Sequence, residues 1–484
     1  MFNKQFLLTL DQVPTQINWS TRQIGNYHLQ THPELTVAEK KSNGYHLILL
    51  GYWYDYRNPH FSDQQITDNI KVDGSFEDLA EQMSYFSGVH LVLWSTPDKF
   101  FVVPDFSALA EAYMLKRNDE VIAVAASPEI LNLVEPIEID TTHPFYSTEQ
   151  FNARMLWIGT STSYKNVFRL RPNHLINLGT GQIERFYPCK KLRKLSLDEA
   201  AKIVAALLPN LLKAVFNRQE KIMIGLTAGW DSRLLLAACQ DIRDKAIFFI
   251  DISTLEKQDA EISERLAVKL DLTFCKIRFS SAFKNKLEIA DFDSPYILPN
   301  TKLSLKAFDR FMGCYKTLTG TVSELARNEF ARIKNINGNK LNELARFPEN
   351  KFVTSQFQNW HDKNKQLFES SGYHVLDMFY WEEVLGKVSK LVTDANCINR
   401  SMLPILNCRY LMESLLATDE KYREKEYHIL YTEAIKIMWP EALTVPINPS
   451  IKKTTIRIMQ RIGIYGLYRN VFTTGIFNLK KIKK

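Results

Sequence analysis

Apolar runs of strand length, separated by turn residues, dominate residues 44–127. The runs YHLILLGYWYD, VHLVLWS, FFVVPD and VIAVAAS are rich in β-branched and aromatic residues, which is typical of strands. Between them, SFEDLAEQMSYF carries apolar residues at helical spacing after Ser75, a predicted N-cap. The positions that share this spacing are Phe76, Leu79, Met83 and Phe86. The first third of the chain is therefore predicted to be mainly β with one helix.

The pattern loosens around residues 145–187, where two turn signals, Arg-Pro-Asn and Gly-Thr-Gly, flank one short apolar run. We interpret this stretch as the connection between two domains. The following segment, residues 196–216, begins with a capping box formed by Ser196 and Glu199 and then carries apolar residues on one face. It is predicted to be a helix.

From residue 221 onward, strand-like runs alternate with helical ones. KIMIGL (221–226) leads through a turn of small residues to the helical SRLLLAACQ. KAIFFIDI (245–252) is followed by the helical DAEISERLAVKL, and LTFCKIRF supplies a third strand. This alternation predicts an α/β domain with a parallel sheet, whose ligands bind beyond the carboxyl ends of the strands. The chain from about residue 330 to residue 440 is predicted to be mostly helical.

Composition and charge narrow the class of protein. A chain of 484 residues is too long for one compact core and predicts two or three folding units. Its 45% hydrophobic and 24% charged residues are typical of a soluble globular protein. The six cysteines are scattered, so neither a disulfide framework nor a zinc site is indicated. Without a secretory signal or a long apolar run, a cytoplasmic location is expected.

The positive charge is concentrated in the C-terminal tail. Residues 451–484 contain nine Lys or Arg and no acidic residue, so the net charge of +7 becomes −2 for the other 450 residues. A tail that is basic, apolar and aromatic is compatible with peripheral contact with an anionic membrane surface. A solvated terminal helix that packs on its own domain is the alternative. We expect no nucleic-acid partner.

The turn after the KIMIGL run carries the candidate chemistry. In GLTAGWDSRLLLAA, residues 227–231 join a buried strand to a helix. N–H groups of the turn and of the helix N-terminus converge there, and the helix dipole favours an anion. The hydroxyls of Thr227 and Ser232 add donors, whereas Asp231 would repel a phosphate and is interpreted as a magnesium ligand. The alternative is an ordinary helix start that Asp231 or Ser232 caps.

This turn resembles the SGGxDS loop of the asparagine synthetase and β-lactam synthetase family of ATP pyrophosphatases. Gly229, Asp231 and Ser232 match the loop, Thr227 replaces its Ser, and Ala228 replaces its first Gly. An alanine would be strained if that position required a positive φ. The resemblance implies an adenine nucleotide α-hydrolase-like synthetase domain that binds ATP with Mg²⁺.

Other segments resemble the family in the same order along the chain. The resemblance implies that the nucleotide is contacted from Leu226 onward and, at the adenine, by the backbone around Ile250. TGTVSEL resembles the family's second acidic loop, in which Gly320 would contact the nucleotide and Glu324 would bind metal beside Asp231. Thr321 and Leu325 of this loop do not carry the family's carboxylates. Asp259 matches an acidic residue near the family's site.

Three basic residues are candidates for catalysis. Arg327, one helical turn after Glu324, is predicted to contact a substrate or a phosphate; a surface arginine is the alternative. Lys452 and Lys453 lie where related synthetases place a catalytic lysine, which would neutralise charge on the α-phosphate. Solvated lysines are the alternative here. Two segments, LDMFYWEEVLGKV and LPILNCRYLMESLLA, resemble the helical walls of the family's acceptor site.

The N-terminal part resembles the family's glutaminase domain, through GVHLVLW, Asp105 and the Ala-Ala-Ser at 125–127. Glutaminases of this N-terminal-nucleophile type need a cysteine directly after the initiator methionine, and the residue here is Phe2. We therefore expect no glutamine hydrolysis. The predicted domains are 1–150, a mainly β, α+β degenerate glutaminase-like domain; 151–195, a connection; and 196–484, the ATP-binding synthetase domain with a helical C-terminal part.

Together these features predict an ATP-dependent ligase. A substrate carboxylate would attack the α-phosphate, pyrophosphate would leave, and ammonia or an amine would capture the acyl-adenylate. The GWDSR sequence of the loop resembles that of synthetase-like proteins encoded with surface-polysaccharide pathways, so a sugar-linked carboxylate is the first candidate substrate. A macrolactam- or β-lactam-forming synthetase is the enzymatic alternative, and a catalytically degenerate nucleotide-binding scaffold is the non-enzymatic one.

Overall fold

The structure is a computed structural model of the chain. It describes residues 4–14, 18–144, 146, 157–219, 221–252, 257–277, 315–330, 333, 335–347, 350–385, 402–424 and 427–448. Its strands form two antiparallel sheets of six strands each, followed by one parallel sheet of five strands. Among the described residues, no helix combines the length and the apolar character that crossing a bilayer requires.

The first part of the chain contains twelve of the described strands and three short helices. The strands are β1 (Phe6–Thr9), β2 (Ser20–Ile24), β3 (Tyr27–Thr31), β4 (Val37–Ser42), β5 (Tyr45–Asp55), β6 (Phe86–Ser95), β7 (Phe100–Pro104), β8 (Tyr113–Arg117), β9 (Glu120–Ala125), β10 (Val167–Arg169), β11 (His174–Asn177) and β12 (Gln182–Arg185). The helices are α1 (Asp63–Asn69), α2 (Phe76–Met83) and α3 (Pro128–Leu131). The two sheets have the orders β10-β8-β9-β1-β3-β2 and β12-β11-β7-β6-β5-β4.

The alternation of side chains along β5 explains how these sheets pack. Ile48 and Leu50 lie in the core shared with the first sheet, whereas Leu47 and Leu49 lie in the core shared with α1 and α2. Because successive side chains of a strand point to opposite faces, the run YHLILLGYWYD is buried on both sides. The first part is thus a two-sheet sandwich with helices on its outer faces.

The predicted helix of the first part forms but is shorter than expected. Ser75 caps α2 as predicted, since its hydroxyl accepts the Asp78 N–H. The helix ends at Met83, and the hydroxyl of Ser84 donates to the Glu81 carbonyl at 2.6 Å. The prediction that Phe86 is helical is wrong, because Phe86 is the first residue of β6 and packs against α1 and α2 from the sheet.

Three strands lie within the stretch 151–195 that was interpreted as a connection. β10 pairs with β8, and β11 pairs with both β7 and β12, all antiparallel. This stretch therefore contributes edge strands to both sheets. The antiparallel architecture is established, and the likeness to a glutaminase domain stays a prediction.

The second part of the chain combines helices with the parallel sheet. Its elements are α4 (Leu197–Arg218), β13 (Ile222–Gly225), α5 (Trp230–Ala238), β14 (Ala246–Asp251), α6 (Lys257–Lys269), β15 (Phe274–Ile277), β16 (Lys316–Leu318), α7 (Gly338–Ala345), α8 (Lys351–Ser370), α9 (Val375–Phe379), β17 (Met402–Leu403), α10 (Arg409–Leu416) and α11 (Ile429–Met438). Short 3-10 helices span Gln240–Lys245, Ser323–Arg327, Glu420–Tyr422 and Pro440–Leu443, and a π-helical turn spans Tyr380–Leu385.

The predicted α/β character of this part is confirmed. The sheet has the order β15-β14-β13-β16-β17, and every neighbouring pair is parallel. The capping box at the start of α4 is present, with the Glu199 N–H on the Ser196 hydroxyl and the Ser196 N–H on the Glu199 carboxylate. β16 and β17 were not predicted because, at three and two residues, they are too short to carry a pattern.

Buried ion pairs join the two parts of the molecule beside the π-helical turn. Arg185 Nη2 lies 2.7 Å from Glu382 Oε2, and Arg171 Nη1 lies 2.8 Å from Glu383 Oε1. The indole N–H of Trp360 also donates to Glu382, at 2.9 Å. These contacts fix the turn, whose first residue is Tyr380, against the antiparallel sandwich.

Candidate functional site

The strand order of the parallel sheet locates a crevice. β14 and β15 lie on one side of β13, and β16 and β17 lie on the other side. The order therefore reverses between β13 and β16, and ligands of such sheets bind at this point, beyond the carboxyl ends of the strands. The segments that leave these two strands are residues 226–232 and residues 319–327, the two stretches that the sequence singled out.

The loop after β13 is held by its own hydroxyl groups. The Thr227 N–H donates to the Ser232 hydroxyl at 3.1 Å, and the Gly229 N–H donates to the Thr227 hydroxyl at 3.1 Å. The Ala228 N–H donates to the Asp259 carboxylate at 3.1 Å. The expectation that these turn amides are free for an anion is therefore wrong, because hydroxyl and carboxylate groups lie close enough to bind them.

The helix that follows the loop nevertheless offers donors. Gly229 is the N-cap of α5, and no side chain caps this helix. The alternative of a helix start capped by Asp231 or Ser232 is therefore wrong. The first hydrogen bond of the helix is donated by the Arg233 N–H to the Gly229 carbonyl at 3.3 Å. The N–H groups of residues 230–232 lie before this bond and have no acceptor within the helix. An anion at this end of α5 would meet those N–H groups and the positive end of the helix dipole.

Ala228 is compatible with the loop. It is not one of the described residues with a positive φ, and Gly229 has φ −79° and ψ 166°. The alanine that replaces the family's first glycine therefore causes no backbone strain. Gly229 leaves room for the Thr227 side chain, because a Cβ at position 229 would lie only 3.2 Å from the Thr227 hydroxyl oxygen.

The loop after β16 approaches the start of α5 closely. A Cβ added at Gly320 would lie 2.7 Å from the Asp231 Cβ, which is too close for any side chain. This approach brings Asp231 together with two residues of the 3-10 helix that follows. Arg327 Nη2 lies 3.0 Å from Asp231 Oδ2 and 3.3 Å from Glu324 Oε1. Asp231, Gly320, Glu324 and Arg327 thus form one cluster, and the alternative of a surface position for Arg327 does not hold.

The two carboxylates of this cluster have spare oxygens. Asp231 Oδ1 and Glu324 Oε2 are buried and have no hydrogen-bond partner among the described residues. Among all the residues that the structure describes, no group of three or more His, Cys, Asp or Glu side chains is arranged to bind a metal ion. Two carboxylate oxygens fit a magnesium ion that completes its coordination with phosphate oxygens and water.

Burial disfavours the charged forms of both carboxylates. Burial raises the pKa of Asp231, and the nearby Arg327 acts in the opposite sense. Burial also raises the pKa of Glu324, and the negative charge of Asp231 raises it further. A cation bound beside both carboxylates would offset this cost of burying their charges.

Tyr431 and His428 lie close enough to the cluster for its charges to act on their pKa values, and the sequence did not single out either of them. The hydroxyl of Tyr431 is buried without a hydrogen-bond partner among the described residues, and the His428 ring stacks on the Tyr431 ring with centroids 3.5 Å apart. Burial lowers the pKa of His428 well below its usual value, and Arg327 and Arg423 add to this effect. The imidazole is therefore neutral at pH 7. No spacing signal was available, because these residues lie about 200 positions after Asp231.

The last described segment of the chain packs against the loop. Arg233 on α5 is fully buried and donates to the carbonyls of Ala442 and Val445 at 2.6 and 2.8 Å. The Asn448 N–H then donates to the Ala228 carbonyl at 2.8 Å. The predicted catalytic residues Lys452 and Lys453 lie outside the described residues.

The remaining predicted contacts lie on the strands. Leu226 continues β13. Its N–H donates to the Phe249 carbonyl at 2.8 Å, and its carbonyl accepts a hydrogen bond from the Ser263 hydroxyl at 2.7 Å. Ile250 lies near the carboxyl end of β14, and its side chain is buried. Any contact of Ile250 with a ligand would therefore involve its backbone.

A cavity lies away from this cluster. Its volume is about 430 Å³, and its lining includes Phe6, Leu50 and Arg218. Lys316, the first residue of β16, also lines it, so it lies toward the opposite end of the parallel strands from Asp231. It is therefore separate from the crevice described above.

No protein-family model and no curated protein matches this chain. Among solved structures, an NH3-dependent NAD synthetase from Campylobacter jejuni, in complex with the nitrate ion, matches with 10% identity and a TM-score of 0.24 over 42% of this chain and 96% of its own. An NMN synthetase from Francisella tularensis matches with 12% identity and a TM-score of 0.24, over 40% and 96% of the two chains.

A glutamine-dependent NAD⁺ synthetase from Acinetobacter baumannii, in complex with ADP, also matches. Its identity is 12% and its TM-score is 0.22, over 50% of this chain and 51% of its own. Matches of this strength do not assign the chain to a family.

Proposed function

We propose that this protein is an ATP-dependent ligase that activates a substrate carboxylate as an acyl-adenylate and joins it to ammonia or an amine. The observation that carries the proposal is the cluster of Asp231, Glu324 and Arg327 beside the uncapped start of α5, at the point where the strand order reverses. Such an arrangement would offer helix N–H groups to an anion and carboxylates to a metal, in agreement with what the resemblance of the loop to ATP pyrophosphatases implies.

The triphosphate is proposed to lie at the start of α5, on the N–H groups of residues 230–232. The hydroxyls of Thr227 and Ser232 already bind loop amides, so their main contribution is to hold the shape of the loop. The proposed nucleotide contacts are Leu226, Thr227, Ala228, Gly229, Asp231, Ser232, Gly320 and, through its backbone, Ile250. Asp231 and Glu324 would hold Mg²⁺, which offsets the charge of the phosphate oxygens.

In the proposed reaction, a carboxylate oxygen of the substrate attacks the α-phosphorus and the bond to the bridging oxygen of pyrophosphate breaks. Arg327 is proposed to stabilise phosphate charge during this step. Lys452 and Lys453 are proposed for the same task at the α-phosphate. Lys452 follows Asn448 by four residues, a span of at most about 14 Å. The amine nitrogen then attacks the acyl carbon, AMP leaves, and the amine's proton passes to solvent.

Ammonia or a substrate amine is proposed as the nucleophile. The sequence has no cysteine before Cys189, so the part that resembles a glutaminase domain offers no thiolate to release ammonia from glutamine. A sugar-linked carboxylate remains the first candidate for the other substrate, on the resemblance of the GWDSR sequence alone. A peripheral contact of the basic tail with a membrane is compatible with such a substrate.

The proposal predicts a specific set of products. Incubation of the protein with ATP, ammonium or an amine, and a panel of uronic and amino acids should yield AMP and pyrophosphate with the true substrate. Replacing ammonium by glutamine should abolish product formation, and no glutamate should appear. Ion-exchange chromatography of the nucleotides provides the measurement. Formation of ADP and phosphate instead would contradict adenylation.

A pH titration tests the role of the carboxylates. Metal binds only their ionised forms, and the pKa values of Asp231 and Glu324 are raised. We therefore expect the affinity for Mg–ATP to increase with pH through a range above that of ordinary carboxylates, and to be lost as the pH falls through it. Calorimetric titrations from about pH 5 to pH 8 measure this dependence.

The Glu324→Gln variant is the matched control for that titration. It removes one of the two titrating groups, so its affinity should be weaker and its pH dependence shallower. The protonation of ATP itself affects both proteins equally and cancels in the comparison. Identical pH profiles for the two proteins would argue against Glu324 as a metal ligand.

A nucleotide-binding scaffold without activity remains the second candidate. The observation that favours it is that three amides of the loop are already hydrogen-bonded within the protein. Such a scaffold would bind Mg–ATP, or fail to bind it, but would release no pyrophosphate with any carboxylate in the panel.

A further inference from the structure

Arg327 lies between the two carboxylates to which the proposed function assigns a metal. One nitrogen, Nη2, is within 3.3 Å of both Asp231 Oδ2 and Glu324 Oε1. A single guanidinium nitrogen therefore bridges one oxygen of each carboxylate. The other two oxygens, Asp231 Oδ1 and Glu324 Oε2, are buried and find no hydrogen-bond partner in the described part of the chain.

The backbone from Gly320 to Arg327 brings the Arg327 side chain to the two carboxylates. Gly320 allows the loop to approach Asp231, and the 3-10 helix Ser323–Arg327 then places Glu324 and Arg327 three residues apart, on one face. Val322, directly before this helix, has a φ of +85°, a conformation that is strained for a β-branched residue. The surrounding structure thus imposes the position of Arg327 in spite of a cost in backbone energy.

The charges of the cluster determine what it can bind. Asp231, Glu324 and Arg327 together carry a net charge of −1, and the negative charge of Glu329 also acts on Asp231 and Arg327. A free divalent cation on the spare oxygens would nevertheless lie close to the Arg327 guanidinium, in a partly buried site where like charges repel strongly. A nucleotide's phosphates add several negative charges and remove this repulsion.

We propose that Arg327 acts as an internal counter-ion, so that the Asp231–Glu324 pair binds a divalent cation only together with a phosphate group. Arg327 offsets one of the pair's two negative charges in the absence of nucleotide and contacts the phosphate once the metal–nucleotide complex has entered. This inference rests on the proposed function in taking the pair as the metal site, but not on the reaction that follows.

A titration with free Mn²⁺ tests the inference without any nucleotide. Electron paramagnetic resonance of the unbound ion reports binding to wild type and to Arg327→Gln, which loses the charge but keeps a polar side chain. We expect the variant to bind Mn²⁺ at least about tenfold more tightly than wild type, since a unit of positive charge beside the metal is removed. Arg327→Lys retains the charge and should stay close to wild type.

A double variant assigns the gained site to the carboxylate pair. Arg327→Gln combined with Glu324→Gln should lose the gain in Mn²⁺ affinity, and a gain that persists would overturn the inference. Thermal unfolding of each variant verifies that it is folded. A further test needs no Arg327 variant and compares wild type with Glu324→Gln. If wild type binds free Mn²⁺ tightly and Glu324→Gln does not, the inference is overturned.

Failure of the proposed function has a different signature. It would appear as an absence of Mg–ATP binding by wild type, in a separate titration. If wild type binds Mg–ATP while Arg327→Gln shows no gain in free-metal affinity, only the counter-ion role of Arg327 is refuted.

Discussion

Replacing Asp231 by Asn should weaken the binding of Mg–ATP at least about a hundredfold and abolish pyrophosphate release. The substitution keeps the size of the side chain but removes the negative charge that a magnesium ligand supplies, so the metal would lose one of its two proposed carboxylate ligands. It also leaves Arg327 with Glu324 as its remaining partner in the cluster. Calorimetry for binding and a pyrophosphate assay for turnover measure the two effects.

Asp241→Asn is the matched control for this variant. Asp241 lies just beyond the other end of α5, its side chain is 74% exposed, and its nearest basic group, Lys213 Nζ, is 3.8 Å away. It should bind Mg–ATP as wild type does. Equal binding by wild type and Asp231→Asn would contradict the ligase proposal and would favour the scaffold alternative.

The parallel sheet and the loop after β13 could be predicted from local sequence patterns. The continuous apolar run at 221–226 and the switch to helical spacing after it place β13, the turn and α5 within a few residues of their observed bounds. The capping box of α4 was equally readable, because Ser196 and Glu199 are three residues apart. Signals of this kind depend only on residues that are close in sequence. They can therefore be recognised without knowing the fold.

Contacts between distant segments could not be predicted in the same way. The sequence indicated carboxylates at positions 231 and 324, but it gave no indication that Arg327 would bridge them. That contact depends on the close approach at Gly320 and on β16, a strand of only three residues. The satisfied loop amides were missed for the same reason, since Asp259 reaches Ala228 across 31 positions of the chain.

The connecting stretch illustrates a second limit. Its turn signals at Arg-Pro-Asn and Gly-Thr-Gly predict a break between domains, yet β11, between the two signals, and β12, after the second, complete an antiparallel sheet. A short edge strand buries few side chains, so its sequence is constrained mainly by turns. Turn residues alone do not distinguish a hairpin at the edge of a sheet from a linker.

Arg233 is the residue whose replacement should most reduce stability. Its guanidinium is fully buried, and burial lowers its pKa to about 10, so it remains charged at pH 7. It donates to the carbonyls of Ala442 and Val445 at 2.6 and 2.8 Å and approaches that of Pro446 at 3.4 Å. Arg233→Met preserves most of the side-chain volume but leaves these buried acceptors without a donor.

The expected loss for Arg233→Met is about 3 kcal/mol in the free energy of unfolding, because each unsatisfied buried carbonyl costs about 1 kcal/mol or more. Urea denaturation measures it, and Arg193→Met, at a side chain that is 80% exposed, should change stability by less than about 0.5 kcal/mol. Arg233→Met should also weaken Mg–ATP binding, because Asn448 follows Val445 by three residues and its N–H donates to the Ala228 carbonyl of the loop at 2.8 Å. A protein that loses stability but keeps its full affinity for Mg–ATP would show that this segment supports the fold and not the loop.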